Sequence, residues 1–377
     1  MGTLAALRPA ERVLALFLAY ALARLALAGD VHLATHAFPP VDLLVAFALV
    51  VALRLASEYR RVPWPEGTRD VRREHTMFLA ACVLISGLAV ALVPRFRPHP
   101  GMGGGAATEL VLAIHAWTFT GLLFATPFAI LWLASAQHIK EHGRLDSRAM
   151  LRARRADALE ALREWAPLLV LLYAYGLMEP VIGRGLFPDM DPPLGRLDRF
   201  LFLGHDPRIL LEPFITPWLS TWLAACYALY VPLIPIVAGV VFARRDPARF
   251  RELVLALTLT LAIGYVVYTL VPVRGPMFVD RYDVALDGYY GDWIKRDLLD
   301  PNRVPRDCFP SLHTAVSFTL LWGAFRHARR VFWVALPIVA CIPLACVYFR
   351  YHYVVDVIAG ALLFAVVRTV ALRALPR

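Results

Sequence analysis

The sequence predicts an all-α, polytopic transmembrane helical bundle of about ten spans. Hydrophobic residues make up 59% of the 377 and charged residues only 18%, a balance far more apolar than that of a soluble domain. The apolar residues come in blocks of roughly 20, the length a helix needs to cross a bilayer. No polar stretch between the blocks is long enough to bury a core of its own.

In order, the blocks cover residues 13–29, 40–56, 76–94, 109–136, 166–183, 213–243, 253–272, 309–327, 331–349 and 351–373. The first is interrupted by Arg24, and with its "LALAG" exit it also reads as a signal peptide. A net charge of +10 would suggest a nucleic-acid partner in a soluble protein, but here the charge follows topology. With a cytoplasmic N-terminus, 25 of the 39 Lys and Arg residues fall in inner segments and 13 in outer ones, Arg24 lying inside the first span. That is the bias of the positive-inside rule. Both termini are therefore expected in the cytoplasm, in a bacterial inner membrane, with no nucleic-acid partner.

Polarity then divides the chain. Residues 1–137 form an accessory region of about four spans, where His115 in "LAIHAWTF" reads as a buried, hydrogen-bonded histidine. Residues 138–165 form a charged cytoplasmic connector with acid–base pairs at helical spacing. Residues 166–377 form a six-span region whose outer connections, 184–212 and 273–308, are long and polar, as functional loops tend to be. The five cysteines, at 82, 226, 308, 341 and 346, give no disulfide framework or zinc pattern. Four lie in apolar spans, and Cys308, at a polar boundary, reads as a packing residue.

Three stretches beside these loops share a chemical theme. "LVPVRGPMF" (270–278) ends a span in prolines and delivers Arg274 at the boundary, where a guanidinium fork can clamp a phosphate or simply anchor a helix end. "CFPSLHTAVSF" (308–318) opens the next span, with Pro310 suited to a first helical turn and Ser311 to a cap. A helix N-terminus favours anions, and His313 beside it can donate a proton or serve as an interfacial residue. "CVYFRYHYVVDVIAG" (346–360) spaces His352 and Asp356 by four, which on a helix puts them on one face as a dyad. An aspartate within an apolar span is costly unless partnered. Arg350 adds a cation nearby.

Together the three stretches resemble the type 2 phosphatidic acid phosphatase superfamily, whose Arg-Pro, P-S-x-H and H-x-x-x-D motifs come in that order. The resemblance covers roughly residues 166–373. "FPSLH", "HYVVDVIAG" and the upstream "LDRFLFLGHDP" (197–207) look most like the branch of inositol phosphorylceramide synthase. Gly275 here separates Arg274 from Pro276, and Arg350 is assigned by proximity alone. The resemblance implies a six-helix core and a membrane-embedded enzyme acting on lipid phosphate esters. His352 would attack phosphorus while Asp356 orients it, giving a phosphohistidine, and His313 would protonate the leaving alkoxide. Arg274, Arg350 and Ser311 would bind the phosphate.

A lipid alcohol as acceptor makes the protein a phosphotransferase that moves a phosphorylated headgroup, phosphoinositol-like in that branch, onto a sphingolipid or similar lipid. Water as acceptor makes it a lipid phosphatase. Asp189, Asp191, Asp198 and Arg199 in the first outer loop are candidates to hold a polyol headgroup or to be solvated connector residues. No metal or other cofactor is expected, because Arg274 and Arg350 beside the dyad would repel a divalent ion. The partners are then membrane lipids as donor and acceptor. A transporter or lipid-binding scaffold that kept the fold without the chemistry is the reading from a different class.

The topology carries a direct test. Cysteines introduced into 184–212 and 273–308 should react with a membrane-impermeant reagent in intact cells, and cysteines in 144–165 should not; the reverse pattern moves the chemistry to the cytoplasmic leaflet.

Overall fold

The computed structural model describes residues 7–28, 132–175, 178–183, 187–286 and 306–374, with single positions 55, 59, 63, 77 and 130. The blocks at 40–56 and 76–94 and most of 109–136, with Cys82 and His115, lie outside the described residues. Among these residues the regular structure is all helical, including residues 132–142, apart from an isolated parallel bridge between Val273 and Asp307. The labelled α-helices are α1 (Pro9–Ala28), α2 (Ser147–Tyr175), α3 (Met178–Gly183), α4 (Asp191–Leu201), α5 (Pro207–Leu210), α6 (Pro217–Ala228), α7 (Tyr230–Ala243), α8 (Pro247–Leu270), α9 (Pro276–Val279), α10 (Leu312–His327), α11 (Arg329–Tyr348) and α12 (Val354–Ala374), with one 3-10 turn at Glu212–Phe214.

Local sequence explains most of these starts. Asp246 and Thr216 cap α8 and α6, accepting the amides of Arg249 and Leu219 at 3.2 and 3.3 Å, each followed by a proline at the first helical position. That proline gives up an N–H with no intrahelical acceptor and brings a φ already suited to the helix. The block 213–243 is not one straight span. It divides into α6 and α7, bent by 46° at Leu229. Pro232 accounts for the break, since it has no N–H for the Ala228 carbonyl and its ring crowds that oxygen.

Three described helices, α8, α11 and α12, are long and apolar enough to cross a membrane, or four crossings if the bent pair counts as one. They point to a membrane protein. The other predicted spans differ in detail: the block 166–183 divides between α2 and α3, and α10 has only 16 residues. The described residues therefore support three or four of the ten expected crossings.

The chain divides into two compact units. The first holds residues 1–40, 164–241 and 246–377, α1 and the three motif stretches among them. Within it α8 is the central helix, its apolar window 72% buried against 39% for α11 and 28% for α12. Around α8, Phe17 meets Tyr265 at 5.8 Å between ring centres, Tyr20 hydrogen-bonds Thr269, and Arg24 donates to the Val181 carbonyl at 3.3 Å. Glu164 holds Arg251 at 2.8 Å and Arg8 at 3.5 Å. The buried hydroxyls of Thr260 and Thr319 meet at 3.2 Å between α8 and α10. The second unit holds residues 41–163 and 242–245. There Leu55, Leu133, Ala134 and Met150 form a buried cluster, and Lys140 donates to the Tyr59 carbonyl at 2.6 Å.

Glycines set the closest approaches in the first unit. A methyl group at Gly360 of α12 would collide with the Ser311 carbonyl oxygen and lie 3.1 Å from Thr314 Cβ. Backbone cannot yield as a side chain does, so Gly360→Ala should lower stability by about 1–3 kcal/mol. A reduced unfolding midpoint in detergent would bear this out, and an unchanged midpoint would show that α12 and the start of α10 separate freely.

Candidate active site

The site begins with α4. Its "DPPLGRLDRFL" turns Asp191, Leu194, Gly195 and Asp198 to one buried face, the i, i+3, i+4, i+7 pattern of an amphipathic helix, here with two aspartates in it. Burying a carboxylate is costly unless hydrogen bonds compensate it. Asp191, 2% exposed, accepts the backbone amides of Arg274 (3.0 Å) and Gly275 (2.9 Å) and the Tyr353 hydroxyl (3.2 Å). Asp198, fully buried, accepts the amides of Val354 and Val355, both at 3.0 Å. One helix thus holds the Arg274 stretch with one carboxylate and the His352 stretch with the other. Asp191 and Asp198, candidates for headgroup binding by sequence, are engaged as anchors of backbone. Burial raises the Asp198 carboxyl above its ordinary pKa, against the lowering effect of the two amides and Arg208.

Arg208, which the motifs do not include, supports Asp198. Its guanidinium is fully buried, bidentate to Asp206 at 2.7 and 2.6 Å, 3.4 Å from Asp198 and 4.8 Å above the Tyr353 ring. Burial alone would lower its pKa, but the hydrogen bonds and charge of Asp206 hold it raised. The short "GHDPR" turn signals this: Asp206 caps α5 by accepting the Arg208 amide at 2.9 Å.

Apolar packing ties the same segments together. Leu194, Val273, Cys308, Tyr353 and Val355 form one buried cluster drawn from α4 and all three motif stretches. Gly275 has φ 97° and ψ 155°, a conformation essentially restricted to glycine. That explains why a glycine stands between Arg274 and Pro276.

The His352–Asp356 pair forms, but not as two residues on a helix face. His352 precedes α12, and Asp356 lies in its first turn. Asp356 Oδ2 reaches back to accept the Tyr353 amide at 2.9 Å, half of a capping box. The same oxygen lies 3.5 Å from His352 Nδ1, with His352 1% exposed and Asp356 fully buried. Cys308 is not simple packing. Its Sγ lies 3.0 Å from Asp356 Oδ2 and 3.2 Å from His352 Nδ1.

His313 is the second residue of α10, and its ring centre lies 5.7 Å from that of His352. Tyr227 and Tyr230 pack against it at 4.4 and 4.5 Å, and the Tyr227 hydroxyl lies 3.3 Å from Nδ1. Nothing in "CYALYVP" marks these tyrosines as site residues, because α6 and α7 reach the site only by tertiary packing. Ser311 caps α10 as expected, accepting the Thr314 amide at 3.4 Å, but helix begins at Leu312, so Pro310 precedes the first turn. Its hydroxyl is wholly buried and also meets the Thr314 hydroxyl at 3.2 Å, which directs it to the cap.

The remaining candidates sit elsewhere. The Arg350 guanidinium is 3.0 Å from Glu212, donates to the Val284 carbonyl at 2.9 Å and lies 4.1 Å above the Tyr282 ring. Burial lowers its pKa, with Glu212 opposing. Asp189 pairs with Arg306 at 2.8 Å. Arg274 and Arg199 are exposed.

Residues 193–370, just under half of the chain, match the family model described as the PAP2 superfamily. An uncharacterized protein of Methanocaldococcus jannaschii is 28% identical over 170 residues, which are 45% of this chain and 64% of that relative. The match thus spans less than two thirds of the relative's length. No solved structure matches the chain.

Removing the buried guanidinium should expose how much the anchor matters. Arg208→Met leaves Asp198 buried without its cation and should cost about 3–5 kcal/mol, read as a lower unfolding midpoint in detergent. An unshifted midpoint would mean that the Val354 and Val355 amides alone satisfy Asp198.

Proposed function

We propose that the protein is a membrane-embedded enzyme that breaks and re-forms lipid phosphate esters through a phosphohistidine on His352. The carrying observation is the meeting of His313 and His352 at 5.7 Å with Asp356 behind His352. The match to the PAP2 superfamily supports a phosphatase or phosphotransferase acting on lipid phosphate in general.

In the first half-reaction His352 Nε2 attacks phosphorus, the ester bond breaks, and His313 gives its proton to the leaving alkoxide. Asp356, beside Nδ1, keeps the proton on that nitrogen, leaves the Nε2 lone pair for the attack and stabilises the cationic ring afterwards. Tyr227 beside His313 Nδ1 leaves Nε2 of that ring to exchange the proton. The partial positive charge at the start of α10 and the exposed Arg274 are suited to the phosphoryl oxygens. In the second half-reaction neutral His313 takes a proton from the acceptor, which attacks phosphorus and releases His352.

We favour a lipid alcohol as acceptor, so that a phosphorylated headgroup moves between lipids on the outer, periplasmic side of the membrane. That preference rests on the resemblance to the inositol phosphorylceramide synthase branch. Hydrolysis is the second reading, favoured by one observation: Asp189, Asp191 and Asp198 are engaged with Arg306 and backbone amides rather than held open for a polyol.

Incubation of the detergent-purified protein with a phospholipid and a lipid alcohol separates the outcomes. A new headgroup lipid marks the transferase, a water-soluble phosphate (the headgroup phosphate from a phosphodiester lipid, inorganic phosphate from a lipid phosphate monoester) marks the phosphatase, and the absence of both products contradicts the enzyme. His352→Ala should abolish turnover, and Asp356→Ala should leave a small residue of it; full activity in the His352 variant sinks the assignment. With an activated aryl phosphate ester the single-turnover phenol burst of His313→Ala should be partly rescued, because a phenolate needs little protonation to leave. Equal impairment with aryl and alkyl esters would make His313 a binding or structural residue.

A further inference from the structure

We infer that Cys308, His352 and Asp356 form a binding site for a thiophilic divalent cation of the zinc class, and that its occupation switches the nucleophile off. The second part rests on the function proposed above. The three donor atoms stand 3.0, 3.2 and 3.5 Å apart as Sγ to Oδ2, Sγ to Nδ1 and Nδ1 to Oδ2. Zinc bonds of about 2.3 Å to sulfur and 2.0–2.2 Å to nitrogen and oxygen, at tetrahedral angles, set such donors about 3.3–3.6 Å apart. The triangle therefore needs an expansion of about half an ångström or less.

Its corners are held by backbone that does not depend on the donors. The Cys308 amide donates to the Val273 carbonyl at 3.1 Å, the His352 amide donates to the Cys346 carbonyl at 3.0 Å, and Asp356 lies in the first turn of α12. The other oxygen of the same carboxylate, Asp356 Oδ1, is buried and accepts no hydrogen bond among the described residues, so the carboxylate keeps coordinating capacity. The sequence argument against a divalent ion also loses its basis. Arg350 is neutralised by Glu212 at 3.0 Å, and the Arg274 side chain is exposed.

Donor chemistry selects the metal. A thiolate, an imidazole and one carboxylate suit zinc or cobalt, whereas magnesium and calcium require oxygen ligands. Binding displaces the thiol proton to solvent, and the thiolate and carboxylate then balance the 2+ charge with no change of oxidation state. A neutral imidazole carries a single proton. With Nδ1 on the metal that proton must sit on Nε2, and the nucleophilic lone pair is gone.

The test titrates the full-length, detergent-purified chain with Co²⁺ and follows thiolate-to-cobalt absorption. One cobalt per chain should bind in the wild type and in a variant with Cys82, Cys226, Cys341 and Cys346 all replaced by Ala. Cys308→Ser should lose the band, and His352→Ala supplies the same test if the serine variant does not fold. In the lipid assay Zn²⁺ should inhibit, and Cys308→Ser should need at least ~10-fold more of it. No band in the wild type, or an undiminished band in Cys308→Ser, overturns the site. Cobalt bound at Cys308 with turnover insensitive to Zn²⁺ overturns the switch. A chain inert toward every lipid phosphate overturns the proposed function, and the cobalt band still decides the site.

Discussion

Two carboxylates on one face of α4 hold the site together. Asp191 takes the amides of Arg274 and Gly275, and Asp198 takes the first amides of α12. These amides belong to segments where the chain leaves or enters a helix, so no ladder supplies their acceptors. Left unmet in an apolar surrounding, each would cost about 1–3 kcal/mol. The aspartates meet that need and fix the spacing of the segments in one step. Arg208 then offsets the charge placed inside, as a buried ion held by hydrogen bonds to Asp206.

The geometry of the dyad follows from this frame. The α12 N-terminus has its amides occupied by Asp198 and Asp356, so it is not an open anion site, and its role is to present Asp356 to His352. The start of α10 is different. Ser311 caps it from within, and His313 stands on it in an aromatic setting made by Tyr227 and Tyr230. One histidine is backed by a carboxylate and the other by a phenol, which suits the first to attack phosphorus and the second to carry a proton.

The parts legible in the sequence were those with a local signature. The order of the three motifs, the spacing of His352 and Asp356, the Ser311 cap and the apolar blocks of α8, α11 and α12 can be read from neighbours in the chain. The helical reading of the dyad was close in distance and different in cause, because a capping contact and a helix face both bring positions four apart together. Long-range partners left no local trace. Asp191 and Asp198 read as polar loop residues because the backbone amides that donate to them lie 83 and 156 or more positions away. Arg350 read as a phosphate ligand because Glu212 and Tyr282 come to it only in the fold, and Cys308 read as packing because its neighbours lie 44 and 48 positions on.

The central claim is that His352 carries the phosphoryl group between donor and acceptor. The most direct measurement is an acid-free quench of the purified protein within a single turnover of a phosphorus-labelled lipid substrate, followed by peptide mapping of the bound label. The account predicts label on His352, stable in base and labile in acid, and absent from His352→Ala. Turnover without any label on the protein, or label on a residue other than His352, would contradict it.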